Sequence, residues 1–169
     1  EGVLGVLKTK GVQPEWIGVS AEGLEAWWAK SLPAEPSAPS QELTALIDVD
    51  GASTDCAILS NDRLLFSHSI AIGHEQLKTS DQAALRWIGE LVRLPRILLH
   101  EDIKGRIGRG VMTGVTQGLE TLVEQLASQW GVTVETKDAL AAFVPSPSVQ
   151  SVAQASRASF AALAGVLAS

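Results

Sequence analysis

The stretch LIDVDGASTDCAIL (46–59) constrains the fold more than any other part of the chain. Two apolar runs flank a turn of small and polar residues, and the stretch carries Asp48, Asp50 and Asp55. Short apolar runs bounded by turn residues are typical of paired strands, so the pattern predicts a β-hairpin. Tight polar turns between strands often lie against a phosphate, because their backbone N–H groups converge. Three interpretations follow: a working phosphate loop, the remnant of one, or a plain hairpin.

The segments around and after this turn predict strands followed by a long helix. Three strand candidates are joined by short turns, which predicts an antiparallel meander: TALIDV (44–49), TDCAILS (54–60) and LLFSHSIAI (64–72). From Ser80 the spacing of apolar residues becomes helical, and Pro95 interrupts or kinks the pattern. RILLHEDI (96–103) either continues the helix or forms a short strand.

A strand–helix–strand unit follows the long helix. Its members are RGVMTG (109–114), LETLVEQLASQWG (119–131) and VTVET (132–136). Such units are usually parallel, and Gly131 is placed to end the helix. A last helix of small residues is predicted over 151–168. The whole pattern predicts an α/β fold with a mixed sheet, an antiparallel meander, a βαβ unit and flanking helices.

The first 43 residues differ from the rest. Residues 1–30 predict a helix, a short strand and a second helix. Trp27 and Trp28 are adjacent in that second helix and cannot share one narrow face, so we expect one in the core and the other at the border with a partner or second lobe. Residues 31–43 are rich in Pro, Ser and Ala, which predicts a linker or exposed loop.

Composition narrows the class of partner. The formal charge is −6, so there is no basic surface to neutralise phosphates and we expect no nucleic-acid partner. The single cysteine, Cys56, allows no internal disulfide, which favours the cytoplasm. No run approaches the roughly twenty apolar residues of a bilayer-spanning helix, so we expect no direct membrane insertion. The sequence opens at Glu1 without a Met, and we expect it to be cut from a longer protein.

The order of these motifs resembles the second lobe of the actin-like ATPase superfamily, which includes actin, sugar kinases and heat-shock chaperones. In that superfamily a hairpin of the form D-(I/V)-G-G-G-(T/S)-(T/S)-D grips the nucleotide phosphates. DVDGASTD matches it at six positions: Asp48, Val49, Gly51, Ser53, Thr54 and Asp55. VMTGVTQGLETLVEQLASQWGVTVE (111–135) is similar to the adenosine segment of the superfamily, with Thr113 and Gly114 in its T-G-G position.

Within the superfamily, the chain resembles the PilM branch of type IV pilus assembly proteins, which is related to the cell-division protein FtsA. Three segments carry this resemblance: LKTKGVQPEWIGVSAEGLEAWWAK (7–30), LIDVDGASTDCAILSNDRLLFSHSIAIG (46–73) and FAALAGVLA (160–168). The resemblance implies an actin-like, ribonuclease H-like lobe over 44–169 with a reduced helical subdomain at about 74–108. It also implies that 1–30 is an inter-lobe passage, and that the first lobe of the same chain is missing.

The resemblance implies a nucleotide site with specific departures. Asp48 stands where an acid holds Mg²⁺ through water, and Gly51, Ser53, Thr54, Thr113 and Gly114 stand at phosphate or adenosine positions. Asp50, however, occupies the first glycine position. Two like charges about 4 Å apart cost about 1 kcal/mol in water and about 4 kcal/mol at a protein surface. Val115 and Thr116 replace a further expected glycine. We therefore interpret the hairpin as a remnant and expect no cofactor, with ATP and Mg²⁺ as the alternative.

The leading functional hypothesis is a cytoplasmic actin-like scaffold of a type IV pilus or related secretion assembly. The resemblance implies docking of the cytoplasmic tail of a bitopic inner-membrane protein, which would hold the scaffold at the inner face of the inner membrane. No catalytic residues are predicted, because His68, His74 and His100 lack metal-ligand spacing and no nucleophile motif is present. Two alternatives stay open: an active ATPase or kinase of the same superfamily, and an unrelated small α/β interaction domain.

Overall fold

The computed structural model describes residues 20–31 and 42–139. The first helix and most of the short strand predicted within residues 1–30 lie outside these residues, as do most of the predicted linker and the helix predicted over 151–168. In chain order the elements are α1 (Ser20–Ser31), β1 (Glu42–Val49), β2 (Thr54–Ser60), β3 (Arg63–Ile70), α2 (His74–Thr79), α3 (Asp81–His100), β4 (Arg106–Gly114), α4 (Glu120–Trp130) and β5 (Thr133–Thr136).

The five strands form one mixed sheet in the order β3-β2-β1-β4-β5. β1, β2 and β3 pair antiparallel, whereas β4 runs parallel to β1 and β5 runs parallel to β4. The predicted meander and parallel βαβ unit are therefore confirmed. One boundary is wrong: β1 begins at Glu42, inside the segment predicted as a linker, because Glu42 and Leu43 pair with the start of β4.

One face of the sheet carries the larger core. β1 contributes every second residue to it, and α3 contributes Trp87, Leu91, Leu94 and Leu98, each at most 2% exposed. α3 and α4 both cover this face, since Val123 and Leu126 of α4 join the same cluster. Ser80 caps the start of α3 by accepting a hydrogen bond from the Ala83 N–H at 3.2 Å.

A side chain of another helix replaces the backbone hydrogen bond that α3 loses at Pro95. Proline has no N–H, so it leaves the carbonyl of Leu91, one turn earlier, without its helical partner. The indole N–H of Trp130 at the end of α4 donates to that carbonyl at 3.2 Å. α3 continues through Pro95 to His100, so residues 96–100 are helix rather than strand.

We expect Trp130→Phe to lower the free energy of unfolding by about 1 to 2 kcal/mol, because it leaves the Leu91 carbonyl without a donor. Urea denaturation measures the change. In a Pro95→Ala background the restored N–H at residue 95 bonds to Leu91, so the same Trp130→Phe change should cost less there. An equal loss in both backgrounds would contradict the role assigned to the indole.

The other face of the sheet is covered by α1. Trp27 and Trp28 are each 1% exposed, so the expectation that one of them borders a partner is wrong. Both lie in one cluster under α1, with ring centroids 6.4 Å apart, and each indole N–H has its own acceptor. Trp27 donates to the carbonyl of Ala139 at 3.1 Å, and Trp28 donates to the carboxylate of Asp62 at 2.9 Å.

Two cationic side chains pack over the indole ring of Trp28. The Arg109 guanidinium carbon lies 4.9 Å from the ring centroid, and the Lys137 ammonium lies 5.0 Å from it. Such cation–π contacts stabilise a buried indole while the charges stay near solvent. α1 is consequently built into the core of the described body. Among the described residues, no helix combines the length and apolar character needed to cross a membrane.

Candidate nucleotide-binding site

The site residues named from the sequence meet at one edge of the sheet. β1 and β4 are parallel neighbours, so their carboxyl ends lie side by side. Asp48 pairs in register with Thr113, and Val49 pairs with Gly114. Ligands of open α/β sheets bind in the crevice outside such carboxyl ends. The structure thus brings the hairpin and the T-G segment together, as their sequence patterns predict.

A polar row crosses four strands at this edge. Asp48 of β1 pairs with Asp55 of β2 as well as with Thr113 of β4, and Asp55 pairs with Ser69 of β3. Directly paired positions point to the same face of a sheet, so these side chains are neighbours. The Ser69 hydroxyl donates to the Asp55 carboxylate. Asp55 is therefore satisfied by its own sheet.

The centre of the row is buried and lacks partners. Asp48 is 3% exposed and Thr113 is fully buried, yet neither Asp48 Oδ1 nor Thr113 Oγ1 has a hydrogen-bond partner. Burial first, and then the nearby charges of Asp50 and Asp55, raise the pKa of Asp48 to about 7. No group of three or more His, Cys, Asp or Glu within the described ranges could hold a metal ion.

Asp50 binds its own turn. Its Oδ1 accepts a hydrogen bond from the Gly51 N–H at 2.7 Å, and its own N–H donates to the Ser53 carbonyl at 2.8 Å. The Gly51 amide is one of the N–H groups that a phosphate hairpin would aim at its ligand. Sequence reasoning identified Asp50 as an obstacle through its charge. The structure adds that its carboxylate takes up the amide itself.

The start of α2 closes the back of the same turn. The His74 N–H donates to the Asp50 carbonyl at 2.7 Å, and the Glu75 N–H donates to the Gly51 carbonyl at 3.0 Å. Gly73 permits this approach, because a Cβ there would lie 2.4 Å from the Ser53 nitrogen and 2.5 Å from the Asp50 oxygen. The turn is thus held by protein groups on both sides.

The hydroxyl of Thr54, named from the sequence as a phosphate donor, serves the core instead. It donates to the Ile72 carbonyl at 2.8 Å and accepts the Trp87 indole N–H at 2.9 Å. Thr54 is fully buried, so its hydroxyl has no path to a ligand at the sheet edge. Ser53 is only partly buried and keeps its place in the turn.

The T-G segment also has a structural role. Gly114 has φ +81°, and a Cβ there would lie 2.3 Å from the Val49 carbonyl oxygen and 2.6 Å from Asp48 Oδ1. The N–H of Val115 donates to that Val49 oxygen at 2.8 Å. The glycine is thus required by the close approach of β4 to β1. Thr113 lies beneath it, in the polar row.

A pocket of about 440 Å³ opens beside this segment, lined by residues 114–117 and 136–139. It lies at the carboxyl ends of β4 and β5, where a parallel sheet places its ligands. The imidazole of His74 reaches the Gln117 carbonyl at 2.9 Å and so links α2 to the loop on the pocket's rim. Sequence reasoning missed this link, which joins residues 43 positions apart.

A magnesium nucleotide fits this arrangement poorly. The Gly51 amide and the Thr54 hydroxyl are occupied, and α2 covers the turn from behind. Asp48 offers an unpartnered oxygen, but the pKa of its carboxyl is raised to about 7, so near neutral pH it is only partly ionised. Of the features at this edge, only the pocket, with its volume of about 440 Å³, is suited to a small ligand.

No protein-family model and no curated protein matches the sequence. Among solved structures, the chain is similar to a PilM–PilN type IV pilus biogenesis complex, with 20% identity and a TM-score of 0.67 over 97% of this chain and 56% of that one. The chain therefore spans little more than half the length of that protein.

Two further structures match at lower scores. A Bacteroides thetaiotaomicron protein described as having an actin-like ATPase fold matches 70% of this chain and 39% of its own, with 12% identity and a TM-score of 0.45. A Cytophaga hutchinsonii exopolyphosphatase matches 75% of this chain and 41% of its own, with 17% identity and a TM-score of 0.43. The five-stranded mixed sheet and its flanking helices share the fold of the PilM–PilN structure, which matches 97% of this chain.

Proposed function

We propose that this protein is a scaffold component of a type IV pilus or related secretion assembly, and that it acts by protein–protein contact without a working nucleotide site. The observation that carries the proposal is the contact of the Asp50 carboxylate with the Gly51 N–H at 2.7 Å. That contact puts an internal anion where the phosphate of a nucleotide would have to lie.

Three physical effects oppose a phosphate at this turn. The ligand must displace the Asp50 carboxylate from the amide, and it must approach the negative charges of Asp50 and Asp55. It must also be balanced by a cation, although the carboxyl of Asp48 is partly protonated at neutral pH. Like charges about 4 Å apart cost about 4 kcal/mol at protein-surface dielectric, which removes about three powers of ten in affinity.

The partner in this proposal is the cytoplasmic tail of a bitopic inner-membrane protein, which would place the scaffold in the cytoplasm against that membrane. Support comes from the similarity to a PilM that is described in complex with PilN. The missing first lobe of the same chain is a second proposed partner, because the chain covers only 56% of that protein.

One observation favours a second candidate, an active ATP-binding member of the superfamily. The pocket at residues 114–117 and 136–139 is large enough for a nucleobase, and the two unpartnered oxygens of Asp48 and Thr113 lie near it in the sheet. In this candidate, Asp48 would hold Mg²⁺ through water, and Asp50 would leave the Gly51 amide when the nucleotide enters.

Nucleotide binding by the full-length protein separates the two candidates. We expect the wild type to show no saturable binding of a fluorescent ATP analogue with Mg²⁺ up to about 1 mM, and Asp50→Gly to gain at least about tenfold in affinity by removing the charge and freeing the amide. Fluorescence anisotropy measures both.

The matched control is Asp102→Gly, which removes the same charge at an exposed position whose φ of +59° suits glycine. The control should behave as the wild type does. Micromolar binding by the wild type would overturn the scaffold proposal. Equal behaviour of all three proteins would show that Asp50 is not the obstacle.

A further inference from the structure

The outward face of α3 carries large apolar side chains that stay mostly exposed in the described part of the chain. Leu85 is 68% exposed and Leu99 is 72% exposed, the two highest values among the large apolar residues of the described chain. They lie opposite the residues that α3 buries in the core, such as Leu91 and Leu94. Single exposed leucines are ordinary, so only their arrangement can carry an inference.

The arrangement is a regular seam. Leu85, Gly89, Val92, Arg96 and Leu99 follow one another at alternating steps of four and three residues, and we call these five residues the outer seam. Such spacing keeps side chains in one line along a helix and is the spacing by which two helices pack together. Val92 is partly buried at its base, whereas Leu85 and Leu99 stand free.

Gly89 forms a gap in the middle of the outer seam. A Cβ at this position would meet nothing within 4 Å, so packing among the described residues does not require a glycine here. Glycine in a helix interior costs about 0.5 to 1 kcal/mol relative to alanine. A glycine at the interface lets a second helix approach closely, as small residues do where helices cross.

A basic edge runs along the outer seam. Arg86, Arg93 and His100 stand at steps of seven residues beside it, and Arg96 lies within it. Arg86 and Arg96 form no ion pair within the described residues, and the Arg93 side chain is 69% exposed although it pairs with Glu90 at 3.6 Å.

The acids of α3 offset this edge only in part, because Glu90 pairs with Arg93 and leaves Arg86 and Arg96 without an ion pair among the described residues. Glu90 is directed towards β3, where it lies 3.9 Å from His68. Asp81, Glu101 and Asp102 lie at the two ends of the helix. The middle of the outward face is therefore positive on a chain whose formal charge is −6.

We propose that the outer seam docks an amphipathic helix of a partner protein, with apolar residues against Leu85, Val92 and Leu99 and with acidic residues against the arginines. Charge complementarity decides the choice of occupant. A second copy of this chain would bring an identical basic edge, so that Arg93 would face the Arg93 of the other copy. An anionic membrane would attract the edge but repel the chain as a whole. This surface does not involve the nucleotide-like cleft, so the inference stands apart from the proposed function.

Two synthetic peptides test the proposal on the full-length protein. Both are helical and about three heptads long, with leucine at the seam positions; one has glutamate and the other lysine at the flanking positions. We expect the glutamate peptide to bind at least about tenfold more tightly than the lysine peptide, and to weaken as salt is raised. Fluorescence anisotropy gives both affinities.

Variants then locate the binding surface. Leu85→Glu with Leu99→Glu should weaken binding of the glutamate peptide at least about tenfold. Leu65→Glu is the matched control, because Leu65 is 47% exposed but lies on β3. Arg86→Glu with Arg93→Glu should reverse the preference and favour the lysine peptide. All of these side chains are exposed, and circular dichroism checks that each variant is folded.

Four results would overturn the proposal. The first is equal binding of the two peptides, and the second is binding of neither. The third is that the protein binds phosphatidylserine vesicles but neither peptide, and that the Leu85→Glu, Leu99→Glu variant no longer binds the vesicles. That result would assign the surface to a membrane. The fourth is a concentration-dependent dimer in analytical ultracentrifugation that the same variant dissociates, which would assign it to a second copy.

Discussion

Asp48→Asn is expected to stabilise the folded protein by as much as about 4 kcal/mol at pH 8, and by little at pH 4. The pKa of Asp48 in the folded chain is raised from 3.8 to about 7 by burial first and by Asp50 and Asp55 second. Each pKa unit corresponds to about 1.4 kcal/mol, and the shift spans roughly three units. Asparagine keeps the shape of the carboxyl and removes the charge.

The direction of the effect follows from proton binding. Between pH 4 and pH 7 the folded Asp48 keeps a proton that the unfolded chain has released, so the contribution of this residue to stability is complete below about pH 4. It falls as the pH rises and is lost above about pH 7. The wild type therefore loses stability over this range, and the Asn variant loses less.

Urea denaturation at pH 4, 6 and 8 measures the difference between variant and wild type. Asp102→Asn, at an exposed position, is the control and should change stability equally little at all three values. A constant difference between Asp48→Asn and the wild type across the pH range would contradict the burial of an ionisable group at this position.

This result also bears on function. An acid that a fold buries at such a cost is typical of a functional position, because selection for stability alone would replace it. In the scaffold proposal, Asp48 is a remnant of a metal–phosphate site. In the ATP-binding alternative, Asp48 would hold Mg²⁺ through water only as the carboxylate, so affinity would rise with pH up to about pH 7.

The elements of the fold could be predicted wherever a local period was present. The meander and the βαβ unit follow from apolar runs and turn residues between 44 and 136, and the structure confirms both. The sequence left open whether α3 continues past Pro95 or a strand follows, and the donor from Trp130, 39 positions from Leu91, is a tertiary contact that local spacing does not specify. The burial of both Trp27 and Trp28 likewise depends on distant groups, such as Ala139 and Asp62.

The site was predictable in position but not in chemistry. The resemblance to the actin-like superfamily implied that Asp48 and Thr113 lie at one site, and the carboxyl ends of the parallel strands β1 and β4 do bring them together. The occupation of the Gly51 amide by Asp50 is a matter of side-chain orientation, which the spacing does not specify. The hydroxyl of Thr54 belongs to a network with Ile72 and Trp87 that arises only when α3 packs on the sheet.

Gly114→Ala is expected to be the most damaging single substitution at the site, with a loss of more than about 3 kcal/mol or failure to fold. Its φ of +81° already disfavours a side chain, which costs about 1 kcal/mol. Steric overlap costs more, because the added carbon would lie 2.3 Å from the Val49 oxygen and 2.6 Å from Asp48 Oδ1. Both neighbours belong to the central strand and cannot move without disturbing the sheet.

Gly131→Ala is the matched control for this prediction. Gly131 also has a positive φ, +66°, but a Cβ there would meet nothing within 4 Å. Its loss should be only about 1 kcal/mol, the cost of the backbone conformation alone. The difference between the two variants, measured by urea denaturation, isolates the close approach of β4 to β1.

The comparison also determines what Gly114 is for. A glycine kept only to admit a purine would tolerate alanine in the absence of nucleotide, and then the two variants would lose equal stability. A much larger loss at Gly114 means that the glycine is required by the sheet whether or not a nucleotide binds. A T-G pair at the end of this strand is then evidence for the fold, and evidence for ATP must come from the hairpin turn around Asp50.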